Sequence, residues 1–181
     1  METIKQLISE NNFSEVYDLI LKNKGLLDKI ELLTYEESNN QVFDFICFLG
    51  ENGKEENIIS FASMILATSL CHFEGAYKEA YSFAQKAVLK EPNNLQNLEW
   101  LLFFYDLPDN IMSDSELKEI IETILKIDNN NEKAIKYLEI LKSNPYKIHE
   151  GKEYTKEEWQ QYQEEKRKNA RPGTTWSLLD D

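Results

Sequence analysis

The chain has 181 residues, enough for one domain that buries ~68–75% of its unfolded surface without disulfide staples. It is 41% hydrophobic with only 6 Gly and 4 Pro, which is too few turn residues for an all-β protein and ordinary for stacked helices. Its 20 basic and 33 acidic residues give a formal net charge of −13, which argues against generic binding to phosphate backbones or anionic membranes and favours a cationic partner.

The charge is unevenly spread. Residues 145–181 carry seven basic residues against eight acids, a net of −1, which leaves −12 of the −13 on residues 1–144. The expected division is therefore a helical body over 1–144 and a C-terminal charged helix and tail over 145–181. Cys47 and Cys71 sit in apolar helical patterns and are too few for a disulfide framework, so they read as buried thiols in a reducing compartment. The start, METIKQLISENN, lacks a basic region followed by an apolar core, and the longest apolar run, Trp100 to Tyr105, is too short for a bilayer. A cytoplasmic location with no membrane partner is expected.

In chain order, Ile4, Leu7 and Ile8 form a short amphipathic helix that breaks at Asn11-Asn12. Val16, Tyr17, Leu19, Ile20 and Leu21 form a second, with Gly25 placed to take a left-handed cap. Leu26 to Leu33 reads as a short buried helix, with Thr34 as the N-cap of a restart. The run VFDFICFL, 42–49, fits a strand or a helix by composition. Helix is preferred because no second strand stands nearby to pair its backbone, and Gly50 and Gly53 are expected to close it.

Residues 58–73 are apolar or small on most sides, as in a central helix with neighbours on several faces. A turn at Gly75 leads to the most informative stretch, GAYKEAYSFAQKAVLKEPNN. There Tyr77, Ala80, Tyr81, Ala84, Ala87 and Val88 share one stripe, and the small alanines let a partner helix approach closely. Pro92 stops the helix, and Asn93 or Asn94 caps the next. Leu98, Leu101, Leu102 and Tyr105 then mark a helix over 95–105. Ser113 and Glu116 make a capping box for the helix of Leu117, Ile120, Ile121, Ile124 and Leu125. A last body helix holds Ala134, Ile135, Tyr137, Leu138 and Leu141. Beyond Pro145, a charged helix Glu157–Lys168 carries Trp159 and Tyr162, and the tail ARPGTTWSLLDD has no period.

The order Gly75, Tyr77, Ala80, Ala84, Ala87, Pro92 resembles the second half of a tetratricopeptide (TPR) repeat, a helix-turn-helix unit of about 34 residues. KEPNN and KIDNNN echo each other 37 residues apart, between Glu91 and Asp128. Met64, Ala67, Thr68 and Cys71 depart from the family's tryptophan, leucine, glycine and tyrosine. The resemblance implies an all-α fold of stacked antiparallel helical hairpins in a right-handed superhelix that acts by binding other proteins.

The sequence has no Gly-rich phosphate loop, paired Cys ligands, HExxH or GxSxG, so no catalytic residue, metal ligand or cofactor is nominated. His72 reads as structural and His149 as part of a polar linker. The candidate partner-binding residues are Glu74, Tyr77, Tyr81, Trp100, Tyr105, Asp106 and the tail residue Trp176, because Trp and Tyr concentrate binding energy and the acids suit a basic partner. Three functions stay open. One is a non-catalytic adaptor or regulator that binds a basic protein. Another is an immunity protein that neutralises a nuclease-type toxin. The third, a small-molecule or enzymatic reading, requires polar groups converging on a pocket with His72 exposed in it.

Overall fold

A computed structural model describes residues 2–107, 111–143, 147–149, 152–154 and 162. Two compact units divide the chain, Met1–Tyr137 and Leu138–Asp181. The first is all-α. Its helices are α1 (Glu2–Ser9), α2 (Phe13–Lys22), α3 (Leu26–Glu36), α4 (Asn40–Asn52), α5 (Glu56–Ala67), α6 (Ala76–Lys90), α7 (Leu95–Leu102) with a 3-10 turn at Phe103–Asp106, and α8 (Asp114–Ile127). The division falls within α9 (Glu132–Ser143). In the second unit, residues read as a polar linker form a two-stranded antiparallel hairpin, β1 (Lys147–His149) and β2 (Lys152–Tyr154), with Ile148 opposite Glu153. The helix expected over 157–168 and the tail with Trp176 lie outside the described residues, Tyr162 excepted.

Local chemistry explains several boundaries. Asn11, at φ 59°, makes the turn between α1 and α2. The Asn39 side chain accepts from Val42 N–H at 3.0 Å and opens α4, where Val42, Phe45, Ile46 and Leu49 are buried at helical spacing. The ambiguous run 42–49 is thus a helix. Asn94 caps α7 by accepting from the Gln96 and Asn97 amides, and Ser113 with Glu116 completes the capping box of α8. Gly75, at φ +78°, starts α6 from a left-handed conformation that glycine adopts without strain.

Other boundaries differ from the sequence reading. Gly25 has φ −63° and precedes α3, so it is no left-handed cap. Thr34 is buried inside a continuous α3, its hydroxyl donating to the Glu31 carbonyl at 2.7 Å, and it caps nothing. Gly50 does not close α4 but lies inside it against α6. The central helix stops at Ala67 and not at Phe73. There the Thr68 hydroxyl bonds back to the Met64 carbonyl, and Leu70, fully buried, donates its N–H to the Ile65 carbonyl. Cys47 and Cys71 are only half-buried. Burial, with Glu79, Glu51 and Asp44 nearby, pushes the Cys47 thiol up to about 12.

The core centres on α4, α5 and α6. Phe45, Ile46 and Leu49 meet Ile58, Ile59, Ala62, Ile65 and Leu66, all with no measurable exposure. Each of these side chains except Ala62 contributes roughly 1.5–3 kcal/mol of burial. On the predicted stripe of α6, Ala80, Tyr81, Ala84 and Ala87 are buried while Tyr77 and Val88 are half-buried; Ala76 and Phe83 join the buried set. The α5 and α6 helices pair most extensively, across the short connection 68–75. The Ser63 hydroxyl, buried in α5, donates to the Ala80 carbonyl at 2.7 Å. Lys86 fastens α6 to α4 by donating to the Gly50 and Glu51 carbonyls at 2.9 and 2.6 Å. Burial foremost, and Lys90 second, lowers its pKa.

Candidate functional site

The α5 and α7 helices are joined by two polar rungs. In the first, the Ser60 hydroxyl lies 2.5 Å from Glu56 Oε1 and 3.0 Å from Asn97 Oδ1, and the Asn97 amide donates to the same Glu56 oxygen at 2.6 Å. In the second, Trp100 Nε1–H donates to Ser63 Oγ at 2.8 Å. Ser60–Asn97 and Ser63–Trp100 share a separation of 37 residues, and the rungs advance in the same sense along both helices, so α5 and α7 run parallel. The next step continues from α7 to α9. Asn131 caps α9 through the Ala134 amide, as Asn94 caps α7, and its side-chain amide donates to Glu99 at 2.6 Å, beside a Lys133–Glu99 ion pair at 2.7 Å.

These rungs align alternate helices along a groove of about 730 Å³. Leu27, Asp28 and Glu31 line it from α3, Glu56, Ser60, Phe61 and Met64 from α5, Asn97, Glu99, Trp100 and Leu102 from α7, and Lys133 and Tyr137 from α9, with Phe103 following α7. Trp100 and Phe103 lie flat on each other, with centroids 5.0 Å apart and planes within 3°. The groove therefore combines an aromatic step with four acids and one lysine. Lys133, with the Asn131 amide second, holds the Glu99 carboxyl below the usual range.

The sequence-nominated residues fall in different places. Trp100 is in the groove. Asp106, exposed, accepts from the Tyr137 hydroxyl at 2.6 Å, and burial followed by this carboxylate raises the Tyr137 phenol. Tyr105 donates to Asp114 at 3.1 Å and meets the Tyr137 ring edge-on, which ties the 3-10 turn to α8 and α9. Glu74, Tyr77 and Tyr81 line a separate, mostly apolar concavity of about 620 Å³ with Phe73, Lys78 and Ile111. Tyr81 is buried there, its hydroxyl donating to Glu116 at 3.3 Å and pushed up to about 12 by burial and that carboxylate. Trp176 lies outside the described residues. His72 is exposed, 2.9 Å from the Ser38 hydroxyl, and lines neither concavity.

The groove also holds Asp28, Glu31, Ser60, Asn97 and Phe103, which no local pattern singles out; the 37-residue echo between Glu91 and Asp128 is the sequence signal that aligns α7 under α5 and points to their shared face. Among the described residues no group of three His, Cys, Asp or Glu side chains is set to hold a metal, and no helix is long and apolar enough to cross a membrane. Compared with known proteins, the chain matches no family model, no curated protein and no solved structure.

Proposed function

We propose that the body is a TPR-like stack of helical hairpins that acts without catalysis, by holding a basic segment of another protein in the α3/α5/α7/α9 groove. The observation that carries this reading is the lining itself: every second helix contributes, as in a superhelix whose first helices face one side. The parallel α5–α7 pairing and the repeated asparagine caps of α7 and α9 support the same stacking. The chemistry of the lining supports a cationic occupant. Lys133 is already paired with Glu99, which leaves Asp28, Glu31 and Glu56 without a lysine or arginine among the described residues. With most of the net −13 on the body, a basic partner is also steered toward it.

The test is site-specific photocrosslinking in the native host from Met64, in the groove, and from Glu119, exposed on α8, followed by capture at ~0.1 M and ~0.5 M salt. A basic protein crosslinked from Met64 alone, lost at high salt and lost again in D28N/E31Q, is the expected result. Equal crosslinking from both positions, or capture indifferent to salt, would rule the groove out.

A further inference from the structure

Of the groove's acids, Glu99 is neutralised by Lys133, with Asn131 on its other oxygen. Glu56 is held in another way. Its Oε1 takes both the Asn97 amide and the Ser60 hydroxyl, which are neutral, and no basic residue among those described pairs with it. A half-buried carboxylate is thus fixed in position without an ion pair; Lys24, Lys54 and Lys90 line a neighbouring concavity that Glu56 also borders, and Lys24 is paired there with Glu55. One helical turn along α7 from Asn97, about 5 Å, stands the half-buried Trp100, flat against Phe103.

We infer that Glu56 and the Trp100–Phe103 step form a seat for an arginine of the partner segment, an inference that rests on the groove being its binding surface. A guanidinium is planar and charged at once, so it can lie against the aromatic step while its N–H fork reaches a carboxylate. Glu56 can accept a guanidinium N–H at Oε2, because both anchoring donors converge on the other oxygen and leave this one without a hydrogen bond. A lysine would satisfy the charge but gain little from the flat rings. Asp28 and Glu31, across the groove on α3, take flanking basic residues of the same segment.

Hexa-arginine and hexalysine serve as probes at ~0.1 M salt, with binding followed by ¹⁵N NMR through the Trp100 indole N–H, assigned with W100F. E56Q retains an acceptor for Ser60 and Asn97, and E119Q removes one charge from the outer face of α8 as a control. Hexa-arginine is expected to shift the Trp100 signal and to bind about 10-fold more tightly than hexalysine. E56Q should lose about 10-fold for hexa-arginine, the worth of one charge-assisted bond, and E119Q less than about 2-fold. F103L is the second variant, and should erase the preference for arginine while leaving hexalysine binding within about 2-fold.

Equal affinity for the two peptides, or equal losses in E56Q and E119Q, would overturn the arginine seat and leave the acidic groove standing. Perturbation of no groove resonance by either peptide would remove both. Self-association that E56Q abolishes would make a second copy of this chain the occupant, and would overturn a separate protein partner.

Discussion

The ring of Phe83 occupies the space into which a side chain at position 50 would project: a β-carbon built on Gly50 would lie 2.2 Å from the ring. Gly50 is inside α4 and Phe83 is buried in α6, so this contact sets how closely the two helices approach. Alanine at position 50 gains about 1 kcal/mol of helix propensity but forces an overpacking that costs about 1–3 kcal/mol. G50A should therefore destabilise the fold by about 1 kcal/mol net in urea unfolding. In an F83L background the same change should be neutral or favourable. If G50A stabilises the wild-type protein, the close approach is wrong.

Ser63 links three helices, accepting from the Trp100 indole and donating to the Ala80 carbonyl. S63A leaves a buried pair of polar groups without their shared partner, at a cost of about 1–3 kcal/mol. The Trp100 fluorescence should also shift, with W159F/W176F removing the other two indoles from the signal. A stability loss under about 0.5 kcal/mol would mean the bridge contributes nothing.

Two carboxyls give the protein an acid limb. Glu99 is depressed by Lys133 and then Asn131, and Glu116 by the Ser113 hydroxyl and then its backbone N–H. A carboxyl whose folded pKa lies below its unfolded value, near 4.3, contributes stability above that value and loses it as pH falls through the folded pKa. Melting temperature should thus fall as pH drops from about 5 toward 3, and E99Q/E116Q should show a shallower fall. An unchanged slope in the double variant would assign the acid limb to other groups.

Cys47 should be a slow nucleophile. With its thiol pushed up to about 12, little thiolate exists at pH 8. In a C71S background, alkylation by iodoacetamide at pH 8 should be at least about 10-fold slower in the native protein than in denaturant. Equal rates would show that burial does not govern this thiol.

What the sequence disclosed was local. Ser113–Glu116 and Asn94 name their helices because the capping atoms lie within three residues of the amides they accept from. The features that escaped depend on partners far along the chain. Gly50 reads as a terminator until Phe83 is laid on it, and the end of α5 is set by Leu70 finding the core. The hairpin β1–β2 has three residues per strand and no apolar alternation, too little pattern to register. Trp100 was found because a tryptophan is conspicuous, whereas Asp28 and Glu31 look like any solvated face until α3 is set across from α7.

The atoms that fasten α5 to α7 are the amide of Asn97, the Glu56 oxygen it reaches, the hydroxyls of Ser60 and Ser63, and the indole nitrogen of Trp100. Asp28 and Glu31 take no part in that joinery. The trough can therefore be retargeted without rebuilding its frame: lysine at Glu31 would invite an acidic guest at little expense to the fold, whereas lysine at Asp28, in the first turn of α3, would also oppose the helix dipole by about 0.3–1 kcal/mol.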